Sequence, residues 1–144
     1  MNDRFFLDTN IFAYSFDQSA PAKSLKSVQL IRQALTGQKG VISYQVVQEF
    51  FNLALKRFSQ PMKPAEAEQY LTTVLNPLLA VHSSQALYAE ALHLHAKSKL
   101  SWYDSLIVSA AIQARCDLLY TEDLQHGQMF GTLRVTNPFL EFFD

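Results

Sequence analysis

Short apolar runs, each too brief to make a helix, punctuate this chain at intervals of helix length. Residues 4–7, 40–43, 78–81 and 117–120 read as buried strands, with a fifth at 133–135. The stretches between them carry helical periodicity. Residues 23–35 place Leu25, Val28, Ile31 and Leu35 in register, with Gly37 positioned to stop the helix; residues 44–58 do the same with Val46, Phe50, Leu53 and Leu55. Further helices are expected at 65–75, with Pro64 before its first turn, at 84–97 and at 103–115. Strands separated by helices need crossover connections. The expected class is therefore α/β, a mainly parallel sheet with helices on both faces, in a single domain spanning 1–144. In such a sheet, ligands bind outside the carboxyl ends of the strands.

Acids stand at those ends. The run FFLDTN closes the first strand with Asp8, and the fourth strand runs into Thr121, Glu122 and Asp123. Glu49 shares a helical face with apolar Val46 and Leu53, and Asp104 opens the helix at 103–115 in line with Val108 and Ala111. Each acid also has a local explanation. Asp8 suits a turn or a helix N-cap, and Asp104 completes a Ser101-x-x-Asp capping pattern. Glu49 is long enough to reach solvent from an apolar stripe, Asp123 fits an ordinary loop, and Glu122 competes with it for any role.

Taken together the acids point further. Two carboxylates about 4 Å apart repel by about 4 kcal/mol at an effective dielectric of about 20, so a cluster of them holds protons or binds cations. Oxygen donors suit Mg²⁺ or Mn²⁺, and no cluster of Cys and His offers the softer site that zinc prefers. Carboxylates around such an ion imply phosphodiester hydrolysis, with Asn10, Thr121 and Thr9 orienting the acids or a bound water.

Composition sets the surroundings. With 49% hydrophobic and 17% charged residues the chain is globular, and no apolar stretch approaches the roughly 20 residues of a bilayer span, so no membrane partner is expected. A lone cysteine, Cys116, and no secretory signal lead to the expectation of a reducing, cytoplasmic setting. A net charge of −1, from 12 bases and 13 acids, argues at first against nucleic acid. Setting four acids aside as ligands leaves nine against 12 bases, a balance of +3. Lys97, Lys99 and Trp102, close before Asp104, interleave cations and an aromatic ring as RNA contacts do, although a solvated helix end beside a packed Trp102 gives the same pattern. Phe50, Phe51, Phe58 and Tyr70 exceed what one small core needs and suggest a partner surface as well as core packing.

The motifs LDTN, VVQEF, LSWYDSLIVSAA and LLYTEDLQHG, followed by NPF, come in an order that resembles the PIN-domain nucleases, and among them the VapC-type toxins of bacterial toxin–antitoxin pairs. The resemblance covers essentially the whole chain. It implies a three-layer α/β/α sandwich with a mainly parallel sheet of about five strands, and metal-binding catalytic acids at Asp8, Glu49, Asp104 and Asp123, with Asn10 and Thr121 in support. It also implies Mg²⁺- or Mn²⁺-dependent RNA cleavage, a homodimer and inhibition by a cognate antitoxin. Two rivals are a non-catalytic module of the same fold that binds RNA or protein, and a phosphatase using Asp8 as nucleophile. The latter wants an acid where Asn10 stands.

Overall fold

The computed structural model describes residues 2–140, so Met1 and residues 141–144 of the expected 1–144 unit lie outside the described residues. Six strands make one sheet: β1 (Phe5–Leu7), β2 (Gly40–Ser43), β3 (Leu79–Val81), β4 (Leu118–Tyr120), β5 (Met129–Phe130) and β6 (Leu133–Thr136), in spatial order β3-β2-β1-β4-β6-β5. Every pairing is parallel except β5 with β6. β5 has two residues, too few to leave a pattern in the sequence, and it forms because Gly131 takes φ +62° at the first position of a two-residue turn. Phe6, Leu7, Ile42 and Leu119 are fully buried, which is why β1, β2 and β4 read as apolar runs, whereas β6 alternates buried Leu133 and Val135 with exposed Arg134.

Helices α1 (Thr9–Tyr14), α2 (Pro21–Gly37), α3 (Tyr44–Ala54), α4 (Pro64–Tyr70), α5 (Asn76–Leu78), α6 (Gln85–Ser98) and α7 (Trp102–Gln113) complete a three-layer α/β/α sandwich. Three expectations need correction. Gly37 does not itself stop α2; it is the last helical residue, and Gln38 takes the left-handed cap at φ 58°. The helix expected to reach residue 58 ends at Ala54, because the amides of Lys56, Arg57 and Phe58 all turn back to the Leu53 carbonyl, at 3.4, 2.7 and 3.1 Å. The helix expected over 65–75 runs on as a widened π stretch, Leu71–Leu75, into α5, so Leu78 is helical and β3 begins one residue later. That widening comes just before Pro77, which has no N–H to donate.

α7 is the innermost helix. Ser105 through Ala111 are all buried, and the small Ser105, Ser109, Ala110 and Ala111 let neighbours approach its backbone. It packs on β2 and β4, with α6 laid against it. On the other flank α2 approaches β2 so closely that a Cβ at Gly40 would stand 2.2 Å from the Ala34 Cβ and 2.7 Å from its Cα.

The chain leaves β1 toward β2 and β3, then returns to lay β4 on the opposite side of β1. This reversal opens a crevice past the carboxyl ends of β1 and β4. Register levels the two ends: Leu7 pairs with Tyr120, and the Asp8 amide donates to the Tyr120 carbonyl at 3.1 Å. Asp8 and Thr121 therefore stand side by side.

Candidate active site

Asp8 leaves β1 and caps α1, its Oδ1 accepting from the Thr9 amide at 2.7 Å. Its Oδ2 accepts from the Thr121 hydroxyl at 2.7 Å. The capping explanation is thus correct as far as it goes, but a cap normally faces water, and Asp8 is only 5% exposed. Burial raises its pKa to about 7; the Thr121 and Thr9 hydrogen bonds pull it down in part, and the charges of Asp123 and Glu49 push it up again.

Thr121 is the hub of the crevice. Fully buried at the end of β4, its Oγ1 donates to Asp8 and accepts from the Asp123 amide at 3.1 Å and the Asn10 side chain at 3.4 Å. The Asn10 amide also donates to Asp123 Oδ2 at 3.1 Å, while its buried Oδ1 has no hydrogen-bond partner. Glu49 projects from α3, where Oε1 accepts from the Thr9 hydroxyl at 2.6 Å and Oε2 from the Gln45 amide at 3.2 Å. Gln45 donates as well to the Tyr103 carbonyl at 3.2 Å, tying α3 to the first turn of α7. Asp104 sits in that turn, its amide donating to Ser101 Oγ at 3.1 Å. Its pKa is raised, chiefly by burial and further by the charges of Asp123 and Glu49, against a Ser101 hydrogen bond that lowers it.

Acids from β1, α3, α7 and the loop after β4 therefore share one electrostatic neighbourhood. Glu122 does not join them: its carboxylate bonds the Tyr14 hydroxyl and pairs with Lys23 Nζ at 2.9 Å, with that ammonium 4.7 Å from the centre of the Tyr14 ring. Of the expected RNA contacts, Trp102 stands near the acids, half-buried at the start of α7. Lys99 is the exposed left-handed cap of α6. Lys97 faces a different cleft, shared with Asn2, Arg115 and Asp117 near the amino ends of β1 and β4. Gln45 escaped notice in the sequence, although its position one helical turn before Glu49 carried the signal.

The family model of the PIN domain matches residues 5–129. This chain belongs to the PIN domain family. A chain of a toxin–antitoxin complex from Klebsiella pneumoniae is similar, at 21% identity and a TM-score of 0.62, over 92% of this chain and 96% of that one. FitAB bound to a DNA fragment superposes with a TM-score of 0.70 at 18% identity, over 94% and 95% of the two chains. A sarcin-ricin loop cleaving VapC toxin of Mycobacterium tuberculosis gives 0.54 at 18% identity, over 83% and 89%. No curated protein matches the sequence. At these identities the structures share the fold with the present PIN domain, and its mainly parallel sheet agrees with them. No helix among the described residues is long and apolar enough to cross a membrane.

Among the described residues, no three Asp, Glu, His or Cys side chains are already gathered around one point that could hold an ion. The carboxylate oxygens of Asp8, Glu49 and Asp123 accept instead from Thr9, Gln45, Thr121 and Asn10. The donor set is nonetheless all oxygen, the acids repel one another, and burial disfavours the ionised form of Asp8 and Asp104. Such a set fits a hard divalent cation.

Proposed function

We propose that this PIN domain is a divalent-metal-dependent endoribonuclease and the toxin of a VapC-type, type II toxin–antitoxin pair. The observation that carries the reading is geometric: where strand order reverses, Asp8 and Asp123 are joined through Thr121 and Asn10, Glu49 accepts from Thr9, and Gln45 ties Glu49 to the turn that bears Asp104. Asp8, Glu49, Asp104 and Asp123 would hold Mg²⁺ or Mn²⁺. When bound, the ion supplies Lewis-acid activation of water and of the scissile phosphate. Thr121 and Asn10 hold Asp8 and Asp123 in place, and Thr9 and Gln45 hold Glu49, so the acids are ordered before substrate arrives. Glu122 is occupied by Lys23 and Tyr14, which favours Asp123 as the fourth acid.

Support for the toxin role comes from the similar solved structures, which include a toxin–antitoxin complex and a sarcin-ricin loop cleaving toxin. On this reading the partners are RNA, a cognate antitoxin and a second copy of the chain, and the setting is the cytoplasm. The test is cleavage of structured RNA by the purified protein with Mg²⁺ or Mn²⁺. Asp104→Asn is expected to lower the rate by orders of magnitude and to weaken Mn²⁺ uptake in calorimetry; a variant that cuts as fast as the parent overturns the mechanism. A small reading frame beside this one, encoding a DNA-binding fold with an extended tail that blocks cleavage, is the expected antitoxin.

A further inference from the structure

A second concavity begins where the acids end. Gln45, bonded to both Glu49 and the Tyr103 carbonyl, also lines a pocket of about 300 Å³ with Tyr44, Gln48, Tyr88, Trp102 and Tyr103. We propose that this pocket receives an unpaired nucleobase of the same RNA strand whose phosphate lies at the acid centre, an inference that rests on the nuclease reading above.

Three observations converge on a base. The first is chemical neutrality: no Lys, Arg, Asp or Glu lines the pocket, so it suits an uncharged ring rather than a phosphate. The second is the supply of ring faces. Tyr103 is 64% exposed, Tyr88 44% and Tyr44 41%, far more than rings packed as core retain. Tyr88 and Trp102 stand 6.3 Å apart at a 40° tilt, and Tyr44 meets His82 edge-on at 4.3 Å. Unpaired bases stack on such faces, whatever their identity. The third is unused polar capacity. Ser43, only 4% exposed, lines the same pocket, and its buried hydroxyl has no hydrogen-bond partner. A buried hydroxyl left alone is unfavourable, and a base edge offers the donor or acceptor it lacks, alongside the amide of Gln48. The volume lies at the small end of ligand pockets, enough for a single ring system. Continuity through Gln45 and Tyr103 sets the bound base next to the reacting phosphodiester.

Trp102 is the only tryptophan in the sequence, so intrinsic emission reports on this pocket directly. The experiment titrates metal-free protein, in EDTA, with a short single-stranded RNA of mixed sequence and separately with an abasic strand of equal length. Base-dependent, saturable quenching of Trp102 is expected, with Tyr103→Ala and Gln48→Ala each weakening RNA binding about tenfold while melting like the parent. Equal binding and quenching by the abasic strand overturns the proposal, as do variants that bind RNA like the parent. So does an emission change that follows protein concentration alone and tracks dimer formation in sedimentation, which would assign the pocket to a second copy. Cleavage separates the two readings. Full kcat/KM in Tyr103→Ala beside an inactive Asp104→Asn removes the base pocket and keeps the nuclease, whereas base-dependent quenching in a wild-type protein that cuts no RNA does the reverse.

Discussion

Asp8 shows how one side chain serves both a local and a global purpose. Its capping bond to Thr9 is a matter of adjacent residues, while its raised pKa arises from burial, and from the charges of Asp123 and Glu49, against the lowering hydrogen bonds of Thr121 and Thr9. The consequence for stability has a definite sign. An unfolded Asp ionises near 3.8 and native Asp8 near 7, so between those pH values the native state holds the extra proton and loses stability as pH rises, with the full penalty present above about 7. In EDTA, Asp8→Asn is therefore expected to raise the thermal midpoint at pH 8, by an amount reflecting a few kcal/mol, and to show a much smaller gain at pH 5; calorimetric melts at both values check it. Mn²⁺ should stabilise the parent at pH 8 and leave the variant nearly unmoved. The adjacent Glu122 and Asp123 give a second contrast. Glu122→Gln breaks a part-exposed pair with Lys23 and should lower stability by less than about 1 kcal/mol while preserving Mn²⁺ affinity, whereas Asp123→Asn should abolish uptake in the same calorimeter.

The elements meet through two positions that look alike in the sequence and differ in the fold. Gly37 and Gly40 both flank the α2-to-β2 connection, and Gly37 has the more obvious helix-stopping pattern. Only Gly40 is constrained: no atom lies within 4 Å of a Cβ at Gly37, whereas at Gly40 the Ala34 backbone is in the way. Gly40→Ala should destabilise by about 3 kcal/mol through overpacking of α2 on β2. Gln38, left-handed without being glycine, should show the opposite response, with Gln38→Gly adding about 1 kcal/mol. Urea unfolding of both variants tests the pair, and equal, negligible changes would refute the packing argument. The aromatic residues of α3 and α4 show the same dependence on context. Phe50 is fully buried and stacks on Tyr70 at 5.1 Å, so part of the surplus of rings is core, while Phe16, which closes over Phe50, Phe58 and Tyr70, remains 41% exposed.

For the molecule as a whole, the sheet is both the stabilising centre and the device that gathers the acids. Cys116, just before β4, reports on its integrity: 4% exposed, its thiol is pushed by burial up to about 12, beyond a slight lowering by Arg4. Native protein should react with a disulfide reagent orders of magnitude more slowly than protein in urea, and rapid native labelling would show that the start of β4 opens far below global unfolding. The alternation of apolar runs and helical periods was enough to specify a parallel α/β sheet, because burial on both faces and crossover connections leave few other arrangements for such a pattern. It also marked strand-end Asp8 and the acids on otherwise apolar helix faces, since a carboxylate in apolar company is visible without coordinates. Helix ends were less legible, because Gln38 and the turn after Ala54 depend on backbone geometry that many sequences adopt. What only the tertiary structure decided was proximity. Thr121 bonding Asp8 across more than a hundred residues, Gln45 bridging Glu49 to Tyr103, Glu122 drawn off by Lys23, and Lys97 placed on another cleft all result from strand order and packing. Those are long-range relations, and local periodicity carries no information about which distant segments the sheet will bring side by side.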